Sequence, residues 1–107
     1  MNHLLLKEKK MLQPIHNIQQ KPPFARAYKK LPPAKKHIVN EVILTIDKNP
    51  EIGTEKKQDL KGIYVYKFKI DNNLMLLAYT FDPKTLTLIL LGVHENYYRD
   101  LKKYLNK

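Results

Sequence analysis

Apolar positions along the chain change rhythm twice. Phe24, Ala27, Tyr28 and Leu31 fall at i, i+3, i+4 and i+7, a spacing that lines one face of a short helix and leaves Arg26, Lys29 and Lys30 to water. Pro32-Pro33 ends that pattern and can open the next, because proline is tolerated in a helix's first turn. Ile38, Val39, Val42, Ile43 and Ile46 make the stripe of a second helix over about 34–48, which Asn49-Pro50 stops. So short a join predicts an antiparallel helical hairpin. Residues 49–61 are polar, contain Gly53 and read as a loop. The period then becomes two. Tyr64, Tyr66, Phe68 and Ile70 share one strand face; Ile63, Val65, Lys67 and Lys69 share the other.

The runs Leu74–Phe81 and Thr85–Val93 are apolar on both faces, as inner strands are. Asp71-Asn72-Asn73 and Asp82-Pro83-Lys84 are turn signals between them, and turns that short make the pairing antiparallel. Tyr98, Leu101 and Leu105 place a last amphipathic helix at about 95–106. Upstream, 13–20 holds Ile15 and Ile18 and predicts a short edge strand, with Pro14 near its start. The expected fold is α+β in the order β-α-α-β-β-β-α: an N-terminal helical hairpin packed on an antiparallel sheet of about four strands, with a C-terminal helix. Residues 1–12 read as an N-terminal extension and 13–107 as a single domain.

Composition narrows the classes. The chain has 107 residues, enough for one core without staples, and no cysteine, which removes disulfides and cysteine-based zinc sites and is compatible with a reducing cytoplasm. No apolar run approaches the roughly 20 residues of a membrane span, and three leucines before Lys7 do not make a signal peptide. His3, His16 and His37 show no metal-ligand spacing, so neither a metal nor a cofactor is expected. Net charge is +10, and residues 1–37 hold nine Lys/Arg against Glu8 alone. That asymmetry suits a polyanion, whether nucleic acid, ribosome, anionic membrane or acidic protein; a merely solvated lysine-rich surface is the plainer reading. After the strands comes a polar knot of His94, Glu95, Tyr97, Tyr98 and Arg99, which points to a phosphate-handling site.

The order and spacing of several segments resemble the RelE/ParE superfamily of bacterial type II toxins, most closely a ParE-like branch, over about residues 14–105. The segments are Phe24-Ala-Arg-Ala-Tyr-Lys-Lys-Leu31, Gly53-Thr-Glu-Lys-Lys-Gln-Asp-Leu-Lys-Gly62, Tyr64-Val-Tyr-Lys-Phe-Lys69, Leu76-Leu-Ala-Tyr79 and Gly92-Val-His-Glu-Asn-Tyr-Tyr-Arg-Asp-Leu101. The resemblance implies a small basic cytoplasmic toxin held inactive by an acidic cognate antitoxin. Its RelE-like members cut messenger RNA on the ribosome, its ParE-like members poison DNA gyrase, and an inactive member would only bind its antitoxin. Lys67 and Lys69 stand at the first strand's usual arginine positions, Leu76 where the second strand often has an arginine, and Glu95 after His94 where arginine is common.

Cleavage of RNA by its own 2′-hydroxyl needs a base, a cation for the phosphorane and an acid for the leaving 5′ oxygen. His94 suits base or acid, Lys67 and Lys69 suit charge stabilisation, Arg99 suits a bidentate grip on phosphate, and Tyr98 suits proton donation. Tyr97 reads as the more exposed ring, available to stack on a base. Lys56, Lys57, Arg26, Lys29 and Lys30 are candidate nucleic-acid contacts. Structural alternatives stand beside each: a strand-end histidine, a core tyrosine at 98, lysines that guard a sheet edge, a glutamate that favours the helix dipole, a solvated loop. The reading taken forward is a ribosome-dependent mRNA endoribonuclease, with a gyrase inhibitor of the same fold as its rival.

Overall fold

The computed structural model describes residues 14–106; the expected extension, residues 1–12, lies outside them. Strand β1 (Asn17–Gln20) leads into helix α1 (Pro22–Lys29) and helix α2 (Pro33–Lys48). Both helices carry proline in the first turn, so the two double prolines start helices rather than only breaking the chain. Strands β2 (Thr54–Glu55), β3 (Tyr64–Ile70), β4 (Asn73–Phe81) and β5 (Thr85–Val93) follow, and helix α3 (Tyr97–Leu105) closes the order. Among the described residues no helix is long and apolar enough to cross a membrane.

The sheet has five strands in the order β1-β5-β4-β3-β2 and is mixed. β2–β3, β3–β4 and β4–β5 are antiparallel, but β1 runs parallel to β5, from Asn17 beside Thr85 to Gln20 beside Leu88. The expected wholly antiparallel sheet of about four strands is corrected at both edges. The fifth strand is two residues inside the stretch read as a loop, too short for any period to show. β1 meets its partner only after the whole hairpin has intervened, so no tight turn fixes its direction. The predicted turns hold: Asp71 and Asn72 take φ of 51° and 70°, the left-handed pair a two-residue hairpin requires. At the other turn, Asp82 Oδ1 accepts the Lys84 and Thr85 N–H groups, each at 2.8 Å.

Each sheet face buries its own cluster. Phe24, Tyr28, Val39, Ile43 and Ile46 of the hairpin pack on Ile70, Leu77, Tyr79, Leu86, Leu88 and Leu91. On the other face Tyr97 and Leu101 of α3 pack on Val65, Leu76, Ala78 and Ile89, with Leu60 and Ile63. A bulge keeps both faces apolar. Ala78 pairs with Leu90 and Tyr79 with Leu88, which leaves Ile89 extra and lets Ile89 and Leu90 both contact the α3 side.

Buried polar groups act as ties. Asp47, at the end of α2, accepts the Ile15 N–H at 2.6 Å, the His16 N–H at 2.8 Å and the His16 Nδ1–H at 2.8 Å, so it fixes the entry to β1. Tyr28 donates to Asn40 Oδ1 at 2.7 Å between the two helices. Tyr79 accepts the Gly53 N–H at 3.0 Å and donates to the Pro50 carbonyl at 2.6 Å, which clamps the turn after α2 to the middle of β4.

Candidate active site

Strand pairing decides which candidate residues meet. On β3, Val65, Lys67 and Lys69 point to the α3 side, since Val65 lies in that cluster while Ile70 lies in the other. Lys67 stands beside Leu76, and Leu76 beside Gly92. Lys69 stands beside Leu74, and the next row on β5 after Gly92 is reached at His94, one residue beyond the strand's last pair, Met75 with Val93. Lys69 and His94 thus border one face two strand spacings apart, about 10 Å. β2 covers β3 only at Tyr64 and Val65, so both lysines sit at an uncovered length of edge, and both are exposed.

The chain turns sharply after His94. Asn96 adopts φ 61°, and α3 begins at Tyr97. That start sets the helix phase: Tyr97, Leu101 and Tyr104, at i, i+4 and i+7, face the sheet, while Leu105 is left exposed. The expectation that Tyr97 is the exposed ring and stacks on a base is therefore corrected. Tyr97 is 2% exposed, lies against Gly92 and donates to the Leu90 carbonyl at 2.6 Å, where β5 bulges. A Cβ on Gly92 would meet the Tyr97 ring at 3.4 Å, an ordinary contact, so the ring lies directly over this residue without requiring a glycine. Burial pushes the Tyr97 phenol well above its ordinary range.

Tyr98 is the less buried of the two rings, yet it too packs against the α3-side cluster. Its half-buried ring meets His94 edge-on at 6.4 Å between centroids and Tyr97 at 5.5 Å, and Lys56 Nζ lies 4.9 Å from its centre, within cation–π range. The Tyr98 hydroxyl is buried and has no hydrogen-bond partner. His94 and Glu95 are exposed. Arg99 is exposed too, with its Nε 3.6 Å from Asp100 Oδ1. Lys56, Tyr98 and His94 therefore form one line of contacts, with Lys67 and Lys69 on the same sheet face; Arg99 points to solvent beside them.

The remaining candidates divide. Lys56 and Lys57 line a cavity of about 320 Å³ with Glu55, Gln58 and Lys61. Lys61 was not among the candidates; its signal was a third lysine closing the same loop just before Gly62. Lys29 and Lys30 are exposed at the end of α1, which packs on the opposite sheet face, while Arg26 borders α3 in a cavity with Leu90, Asp100, Lys103 and Tyr104; none of the three joins the His94 cluster. Among the described residues no set of three His, Asp or Glu side chains gathers into a metal site.

The fold has close counterparts. The E. coli RelE toxin, as a mutant in the free state, superposes with a TM-score of 0.65 at 16% identity over 86% of this chain and 97% of that one. The toxin–antitoxin complex RelBE2 of Mycobacterium tuberculosis gives 0.61 at 17% identity, covering 74% and 98%. The intact E. coli RelBE complex gives 0.60 at 18%, covering 75% and 98%. At such identities the likeness speaks for the fold alone. No curated protein matches the sequence. The family model of ParE-like toxins of type II bacterial toxin–antitoxin systems matches residues 18–102, which takes in every element from β1 to most of α3. The chain belongs to the ParE-like toxin family of type II bacterial toxin–antitoxin systems.

Proposed function

We propose that this toxin is a ribosome-dependent endoribonuclease that cuts messenger RNA and so halts translation in the cytoplasm. The observation that carries the reading is the gathering of Lys67, Lys69, His94 and Tyr98 on the α3 side of the sheet. His94 is the base that takes the 2′ proton. Lys67 and Lys69, on an uncovered edge, stabilise the charge that builds on the phosphorane. Against the expected proton donation, the Tyr98 hydroxyl is buried, so Tyr98 serves through its ring edge against His94, and the leaving 5′ oxygen takes its proton from water. Arg99 adds a solvent-side contact to the strand. Leu76 and Gly92, between the lysine edge and β5, offer neither cation nor proton, so the chain supplies an incomplete set. The ribosome is what orients the messenger.

The likeness to RelBE complexes from two bacteria supports an acidic antitoxin as the partner that holds the toxin inactive. A second reading rests on a different observation. Arg26, Lys29 and Lys30 form an exposed basic strip on α1, outside the His94 cluster, and that strip suits a gyrase-binding toxin with no chemistry of its own.

Induction in a bacterium separates the two. The nuclease reading expects translation to stop first, messenger cleavage to require ribosomes, and His94→Ala or the Lys67→Gln/Lys69→Gln pair to abolish arrest while the melting temperature holds. Continued translation with gyrase-linked DNA breaks, loss of toxicity on charge reversal of the α1 strip, and retained toxicity of the lysine pair would overturn it.

A further inference from the structure

The loop from Thr54 to Gly62 encloses a cavity that the proposed chemistry does not use. About 320 Å³ in volume, it is lined by Glu55, Lys56, Lys57, Gln58 and Lys61. Of its two nearby acids, Asp59 is paired with a lysine of α3, while Glu55 keeps its charge in the lining and offsets one of the three lysines. Tyr64 donates to Glu55 Oε1 at 3.3 Å, and Asp59 is 3.5 Å from Lys102 Nζ of α3. Among the described residues Lys57 and Lys61 make no ion pair, and both are exposed. Lys56 spends its charge on the face of the Tyr98 ring. The loop holds this shape at a conformational cost: Gln58 sits at φ 58°, a region side-chain-bearing residues seldom occupy. Three ammonium groups round a small concavity make a focused positive potential with no counter-charge of equal size.

We infer that this cavity is a second phosphate subsite, which holds a backbone phosphate of single-stranded RNA next along the strand from the one presented to His94. The inference rests on the nuclease reading for the identity of its neighbour, but its own chemistry is simply anion capture. Lys57 and Lys61 are the ligands. Lys56 links the two sites, because it lies on Tyr98 and Tyr98 lies on His94. A nucleic-acid strand suits this arrangement better than an acidic peptide. Its charges recur at every residue, and its bases can stack on an aromatic ring beside the cations.

The test is titration of the full chain with a single-stranded RNA hexamer made uncleavable by 2′-deoxy substitution, at a series of salt concentrations. Each phosphate contact on a single strand contributes about 0.7 to the slope of log affinity against log salt. Lys57→Gln/Lys61→Gln should remove the one phosphate contact and lower that slope by about 0.7, so the gap from wild type should be about 2.6-fold larger at 50 mM than at 200 mM salt. The melting temperature should hold, since both side chains are exposed. His94→Ala should keep the wild-type slope on the hexamer and, in a separate assay on ordinary messenger with ribosomes, lose cleavage. RNA binding with the expected loss of slope, but cleavage unaffected by His94→Ala, keeps the subsite and removes the nuclease reading. Equal slopes for wild type and the double variant overturn the subsite, as does a wild type that fails to bind the hexamer at low salt. Unchanged RNA slopes with slower capture of an acidic peptide assign the cavity to a protein partner instead.

Discussion

Two tyrosines show how far a single residue's role depends on its register. Tyr97 and Tyr98 are adjacent and chemically identical, and in sequence both fit an apolar helix stripe. The helix begins one residue after a left-handed Asn96, which puts Tyr97 into the core and Tyr98 at its rim. The expected stripe of Tyr98, Leu101 and Leu105 was thus one residue out of phase at its start, and no propensity in His94-Glu95-Asn96 reveals that phase. Removing the Tyr97 hydroxyl as Tyr97→Phe leaves the Leu90 carbonyl without its 2.6 Å donor, at a cost of about 1–3 kcal/mol. Thermal unfolding should drop by several degrees while toxicity persists; a variant as stable as wild type would mean that water replaces the bond. Tyr79 carries a pH signature. Burial pushes its phenol from 10.0 to about 12, against the opposing pull of the Gly53 N–H. In the unfolded chain the phenol gives up its proton first, so its share of stability is whole below pH 10 and drains away as pH rises towards 12. Tyr79→Phe should therefore narrow the stability loss between about pH 10 and 12 in denaturant unfolding. Parallel curves for the two proteins would remove Tyr79 as a cause.

At the level of elements, legibility followed contact order. The hairpin stripe, the alternation on β3 and both tight turns are written within a few residues and were read correctly from the sequence, and the alternation also placed Lys67 and Lys69 together on one face. The parallel edge of β1 arises from a partner beyond the whole hairpin, while β2 and the bulge at Ile89 are a two-residue pairing and a one-residue slip, too short for a local period to record. The turn after α2 is such a long-range device. Gly53 carries no side chain because a Cβ there would lie 2.6 Å from the Tyr79 hydroxyl and 3.1 Å from the Val65 carbonyl. Gly53→Ala should destabilise the fold by about 1–3 kcal/mol through that overpacking. Tyr79→Phe removes the atom in the way, so the double variant should cost less than the sum of the two single ones, a coupling a double-mutant cycle measures. Strict additivity would show that the backbone, and not the phenol, resists the methyl group.

Over the whole molecule positive charge lies on both faces, and counting along the chain located only the excess in residues 1–37. Lys29 and Lys30 are exposed on the hairpin and Arg26 lies between it and α3, whereas the α3 face sets Lys102 and Lys103 beside Asp59 and Asp100 and keeps Lys67 and Lys69 uncovered. An acidic antitoxin that folds onto the toxin would be steered first to the hairpin side, because an unneutralised patch acts at the distance of a Debye length before any contact forms. Steering acts on encounter, and the short-range packing that follows sets the lifetime of the complex. The triple variant Arg26→Glu/Lys29→Glu/Lys30→Glu should therefore slow association by tenfold or more, on the order of the steering effect, while dissociation changes little. Raising the salt should slow the wild type towards the variant's rate and leave the variant nearly unmoved. Stopped-flow mixing of the purified toxin with its antitoxin reads both arms. If the variant instead associates normally and falls off fast, the hairpin face is a contact surface of the complex, and attraction is supplied by the lysines of the loop and of β3.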